Sequence, residues 1–295
     1  MELFLETKLY SLIAFYPFTT SYILPVERNS IYTFSKELSI KKQDFFDRAQ
    51  EIGSNAKSDP FQWFLKRSTR YPLPIRDNLE TAEDLAEYNK IKTEYYSFAE
   101  EIEEELLSGK VNVSKDGEVQ FSSNKAKRKK IPIHLTASIV KTLSSLVFYL
   151  KHIASKNDLI IIDEPELNLH PNNQIILTRI FAKLINKGFR LLISTHSDYI
   201  IREINNLIMI SSTNAGVPEL AEKLGYTEDE KINISQIGAY LFDYKTKKSR
   251  KISVRPIAIT ENGFEVSTID KTIEILNNTS EELFYTIKYG AEQDE

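Results

Sequence analysis

LIIIDEPELNLHP, Leu159 to Pro171, is the stretch on which the reading of this chain turns. Its apolar run, Leu159 to Ile162, leads straight into Asp163 and Glu164. A short continuous apolar run predicts a strand buried on both faces, as in a parallel sheet. The two acids then stand at its C-terminal end, where open α/β sheets bind their ligands. Downstream, Arg190 to Ser194 (RLLIS) is a second apolar strand, ending in Thr195-His196-Ser197. Between them Asn172 to Lys187 is an amphipathic helix, with Ile176, Ile180, Phe181, Leu184 and Ile185 on one side and Gly188 as its stop. Strand, helix, strand is a crossover unit. It sets a tip with two acids and a tip with a histidine at one edge of a sheet.

On the N-terminal side, Ile131 to Leu135 reads as a brief strand, and Thr136 or Ser138 opens a helix with the stripe Val140, Leu143, Leu146 or Val147, Leu150 and Ile153. Small hydroxyl residues at a helix start leave backbone N–H groups open to an anion, and this start lies directly before the acid-tipped strand. Lys110 to Phe121 is a hairpin turning at Asp116-Gly117. Asn124 to Lys130, NKAKRKK, reads as a solvated linker rather than a phosphate or nucleic-acid contact. Lys36 to Ile52 and Thr81 to Leu107 have helical periodicity; Asn78 or Thr81 caps the second and Gly109 ends it. Its glutamates, Glu100 to Glu105, read as a solvated face. Lys8 to Phe18 and Ser21 to Leu24 are strand-like, and Pro25 ends the second. Glu27 and Arg28 follow on a loop, either as a surface ion pair or as a polar loop facing a nucleotide.

Beyond the histidine, residues 198–208 continue as helix and Leu207 to Ser211 reads as a strand. A short helix follows at Glu219 to Leu224, then strands at Ile237 to Tyr244 and Ser253 to Thr260, a strand-like Phe264 to Val266, and a last helix, Asp270 to Tyr289. The expected organisation is N-terminal strands in 1–35, a helical insertion in 36–108, the core in 109–215, and a C-terminal α+β extension in 216–295.

Composition narrows the class. The chain has 295 residues, a formal net charge of -4 and no cysteine. Disulfides and thiolate metal sites are excluded, and a global basic bias toward nucleic acid is absent. The run from Tyr10 to Phe18 is too short and interrupted to span a bilayer. A cytoplasmic protein is the expectation.

The acids carry the chemistry. A carboxylate at a buried strand tip holds Mg2+ directly or through water, which assigns Asp163 to the metal. A second acid beside it orients and deprotonates the water that attacks a γ-phosphate, which assigns Glu164 as general base. His196 can donate to a phosphate oxygen and sense its presence. His170, in the loop after the acids, faces either the site or a partner subunit. His134 and His152 have no such setting, and no HExxH or CxxC pattern points to zinc.

With these residues quoted, LIIIDEPELNLHP followed by LLISTHSDYIIREINNLI resembles the C-terminal half of ABC/SMC-type ATPases. More narrowly it resembles the AAA-type ATPases related to the OLD and RecF-like families, several of which serve bacterial anti-phage defence. The resemblance implies an α/β P-loop NTPase core, here partial, using ATP and Mg2+. It makes Asp163 and Glu164 the Walker B acid and catalytic glutamate, Leu167 to His170 the D-loop, and His196 the switch residue. Ser138 in LTASIVKTL falls at the signature position, which binds the γ-phosphate in the other subunit of a dimer. Glu27 and Arg28 in LPVERNSIYTF fall near a Q-loop. The P-loop pattern G-x-x-x-x-G-K-[ST] is absent: at the one Gly-Lys pair, Gly109-Lys110, the first glycine is replaced by Glu104 and the next residue is Val111. The expectation is an ATPase, a homodimer or higher oligomer, with a missing or separate N-terminal segment supplying the P-loop. The other readings are a non-hydrolysing scaffold for an effector protein and, more weakly, an OLD-like nuclease.

Overall fold

The computed structural model describes residues 20–35, 38, 71–114, 117–126, 129–244 and 250–290. The expected strand Lys8 to Phe18 and the expected helix Lys36 to Ile52 lie outside the described residues. The chain divides into two compact units, Met1–Thr195 and His196–Glu295. That is a coarser division than the segments read from sequence, cut at a different place.

In the first unit, β1 (Ser21–Leu24) runs into α1 (Arg28–Phe34). Helices α2 (Leu73–Glu83), α3 (Leu85–Tyr88) and α4 (Tyr96–Ile102) follow, and α4 continues as a π turn over Glu103–Leu107. Strands β2 (Gly109–Val113), β3 (Val119–Ser123) and β4 (Ile131–Pro132) form a small antiparallel sheet. Helix α5 (Ser138–His152) leads to β5 (Leu159–Asp163), then α6 (Pro171–Asn186) and β6 (Arg190–Ser194).

The acid-tipped strand lies at the centre of a parallel sheet ordered β1-β5-β6. Its register places Leu24 beside Ile162 and Ser194 beside Asp163. Ile160 and Ile162 are buried in one core with Leu24, with Val147 and Leu150 of α5, and with Leu177, Ile180 and Leu184 of α6. The expectation of burial on both faces is corrected. Leu159 and Ile161 are only half-buried, and Leu192 of β6 is 57% exposed. The described sheet thus packs tightly through one face, and alternation sorts the apolar run between the faces.

Asp158, just before β5, fixes where the strand begins. It is 1% exposed and accepts four hydrogen bonds: from Thr20 N–H (3.1 Å), Thr20 Oγ1 (2.9 Å), Tyr149 Oη (2.7 Å) and Ser155 N–H (2.8 Å). A buried carboxylate is tolerated when its lone pairs are met in this way.

Several local expectations are corrected. The single helix over 81–107 is interrupted at Asp84 and again before Tyr96, and ends at Ser108 in a left-handed conformation (φ 49°). Asn78 is no cap: it lies inside α2, 3% exposed, and its amide donates to the carbonyls of Ile23 (2.7 Å) and Pro74 (2.8 Å), tying α2 to β1. Ile131 to Leu135 is a strand only through Pro132 and then a 3-10 turn. Glu103 is not on a solvated face. It is 1% exposed, accepting the Val111 N–H at 2.7 Å and pairing with Lys151 Nζ at 2.7 Å.

Gly109 opens β2 under the Phe121 ring. A Cβ there would lie 2.5 Å from Phe121 Cζ and 2.5 Å from the Ser122 carbonyl oxygen. Gly109→Ala is therefore expected to cost about 1–3 kcal/mol, the range for overpacking, read as a lower urea midpoint at unchanged slope.

The second unit holds α7 (Asp198–Met209), α8 (Val217–Lys223), a hairpin of β7 (Ala239–Tyr244) and β8 (Ile252–Ile257), and α9 (Ser267–Tyr289). Leu207 to Ser211 is the end of α7 and a following turn, not a strand. Phe264 to Val266 is not a strand either; Asn205 of α7 takes its place as partner, donating to Phe264 O at 2.8 Å and accepting from Phe264 N–H at 3.0 Å. Among the described residues no helix is long and apolar enough to cross a membrane.

Candidate functional site

The candidate site is built where β5 stops. Asp163 is the last strand residue and is exposed, with Ser194 as its register neighbour on β6. The Ser194 hydroxyl donates to the Asp163 carboxylate. Next comes Glu164, half-buried, whose N–H still bonds the Ser194 carbonyl at 3.0 Å. Its backbone is left-handed, at φ 44°, a region that non-glycine residues enter at a cost. The turn closes with Leu167 N–H on the Glu164 carbonyl (3.1 Å) and Leu169 N–H on that of Glu166 (3.0 Å), and Asn168 is also left-handed at φ 61°. Thr195 Oγ1 donates to Glu166 at 2.9 Å. Two hydroxyls, one on the last residue of β6 and one just after it, thus stitch the acids of one tip to the next strand.

Arg28 comes to the same place from the other side of the sheet order. It is the first residue of α1, not a loop residue, and is 2% exposed. Its guanidinium donates to three main-chain carbonyls: Nη1 to Pro25 (3.0 Å) and Asp163 (2.6 Å), and Nη2 to Glu164 (2.6 Å). Burial pulls its pKa down to about 10, against the opposing pull of Asp163, Glu166 and Glu164. It remains a cation at neutral pH. The reading of Glu27-Arg28 as a surface ion pair is corrected, since Arg28 is buried. Glu27 is exposed at the N-cap position of α1, while Arg28 is enclosed.

The remaining candidates stand as follows. Ser138 is exposed and is the first residue of α5, and its hydroxyl makes no hydrogen bond to another described residue. His170 caps α6: its Nδ1 accepts the Asn172 N–H at 3.3 Å. His196 is exposed and is the first residue of the second unit, directly before Ser197, which caps α7. His152, read as structural, is buried with Nδ1 2.6 Å from the Ile91 carbonyl. Ser194, Thr195 and Glu166 went unassigned in the sequence reading. Their signal is register: hydroxyls ending a strand parallel to an acid-tipped neighbour lie within reach of those acids.

The donor set at the tip is all oxygen, as Mg2+ requires. Among the described residues no group of three or more His, Cys, Asp or Glu comes together as a metal cage. The fit is to a Mg2+ held by one or two carboxylates that keeps its waters and takes phosphate oxygens as further ligands.

A comparison with curated proteins gives no significant match. A family model described as an AAA ATPase domain matches residues 8–201, well over half of the chain, and spans β1, α1 and both strand tips. The chain belongs to the AAA ATPase domain family.

Proposed function

We propose that this chain supplies the metal- and water-handling half of an ABC-type ATPase site. Asp163 would hold Mg2+, Glu164 takes the proton of the attacking water, and His196 donates to the γ-phosphate. When bound, Mg2+ would supply charge neutralisation for the phosphates. Ser194, by donating to Asp163, orients that carboxylate. Ser138 belongs at the trans contact to the ATP of a second copy. The phosphate cradle comes from a missing or separate N-terminal segment; Gly109-Lys110 opens strand β2 rather than a phosphate loop. The OLD/RecF-like relation, and a place in an anti-phage or DNA-associated complex that turnover drives, belong to the same proposal.

The observation that carries this reading is the stitched pair of strand tips, with Asp163 exposed at the end of the central strand and Glu164 beside it. The test mixes the full chain with a P-loop segment of an AAA ATPase domain and follows Mg2+-dependent phosphate release. Turnover is expected only in the mixture, and Asp163→Asn is expected to lower it by about 100-fold while shifting the Mg2+ optimum upward. ATP binding without turnover under any Mg2+ concentration favours the second reading, a non-hydrolysing module that scaffolds an effector.

A further inference from the structure

We propose that Arg28 is a positioning residue: its guanidinium holds the backbone of Asp163 and Glu164 in the turn that aims the Glu164 carboxylate, without touching nucleotide. The consequence for catalysis rests on Glu164 being the general base; the backbone clamp does not.

Its hydrogen-bond partners are the first argument. A guanidinium that is 2% exposed has lost its water, and that loss costs several kcal/mol unless the protein replaces it. The usual replacement is a bidentate carboxylate. Here both 2.6 Å contacts go to successive main-chain carbonyls, those of Asp163 and Glu164. The carboxylates of Asp163, Glu164 and Glu166 act on the cation only through their field. That leaves the acid side chains unengaged by Arg28.

Backbone geometry is the second. Successive carbonyls of a strand point to opposite sides. One planar fork cannot reach both unless the chain leaves the strand between them. Glu164 at φ 44° is where it does so. A non-glycine residue in this conformation costs about 1–2 kcal/mol, and glutamate lacks the short side chain that makes Asn or Asp tolerable there. A buried, charged donor on both flanking carbonyls offsets that cost. The same turn takes Glu164 out of strand alternation, so its side chain need not point opposite to that of Asp163.

The third is the chemistry of the alternative. Lysine offers a compact ammonium on a flexible stem, not a rigid planar fork. Arg28→Lys keeps the charge and loses the simultaneous grip on both carbonyls, which separates geometry from electrostatics.

The experiment has two readouts on Arg28→Lys, with Arg28→Met as the uncharged comparison. In the full chain, amide exchange by mass spectrometry is expected to rise about tenfold in peptides covering residues 160–169, with the β2–β3 hairpin and the body of α6 unchanged, as for a local opening. Unchanged exchange there, or a uniform rise across the unit, overturns the clamp. In the mixture that turns over ATP, kcat is expected to fall about 100-fold with KM for ATP within about threefold. A raised KM at unchanged kcat would make Arg28 a nucleotide contact and overturn the inference. If Glu164→Gln turns over like the wild type, the base assignment fails, and the exchange readout still decides the role of Arg28.

Discussion

Glu164→Gln is expected to lower kcat for ATP by about 10³-fold while changing the affinity for ATP by less than about threefold, because a general base contributes only in the step where water loses its proton. The loss corresponds to about 4 kcal/mol of transition-state stabilisation. Gln keeps the size and the hydrogen-bonding oxygen of Glu but cannot accept the proton. Its backbone N–H on Ser194 and its carbonyl on Arg28 are main-chain contacts and survive the change. The mutant should therefore bind ATP and stall, which filter binding and a single-turnover assay read separately. The competing acid is Glu166, whose carboxylate accepts the Thr195 hydroxyl at 2.9 Å. Glu166→Gln retains an acceptor for that bond and is expected to leave kcat within about tenfold. Reversal of the two results would move the base to Glu166.

The acid-tipped strand, its crossover helix and the histidine-bearing turn are legible in sequence because each is a strong local pattern. Leu159–Asp163, Pro171–Asn186 and Arg190–Ser194 fall within a residue or two of their expected positions. The hairpin and the final helix are legible for the same reason: alternation around a glycine turn and sustained helical periodicity. What is not legible depends on contacts distant in sequence. Arg28 lies 135 residues from Asp163, and nothing in LPVERNS states that its arginine will bond main-chain carbonyls of another segment. Asn78 looks like a cap and is instead an anchor to Ile23, 55 residues away. Glu103, in a run of glutamates, looks solvated until α5 brings Lys151 against it. Polar residues that seem ordinary on local grounds are the ones whose roles tertiary structure decides.

The largest expected loss of stability follows from that last pair. Lys151→Met is expected to lower the unfolding free energy by about 3–5 kcal/mol at neutral pH, the usual cost of leaving one buried charge without its partner. Lys151 and Glu103 have side chains only 4% and 1% exposed and lie 2.7 Å apart. Burial raises the pKa of Glu103 even with the cation present, and Lys151 is the main force lowering it. For an acid raised on folding, the native state binds the proton more tightly than the unfolded chain. Stability from this group therefore falls as pH rises from the unfolded pKa through the folded one. Removing Lys151 pushes the Glu103 pKa higher still, so the deficit of the mutant should shrink as pH is lowered from neutrality toward the ordinary carboxylate range. His152 acts in the same direction: burial lowers its pKa first and Lys151 lowers it further, so the mutant also protonates this histidine at less cost. Adding Glu103→Gln to Lys151→Met should recover most of the loss and abolish its Glu103-linked pH dependence, since the amide oxygen can still accept the Val111 N–H that Glu103 holds at 2.7 Å. Glu103→Leu in the same background should recover less, because it leaves that N–H buried and unpaired. Urea unfolding at a series of pH values measures all three variants. A pH-independent deficit, or a Leu variant as stable as the Gln one, would show that the pair is not the polar hinge between α5, the π turn and β2.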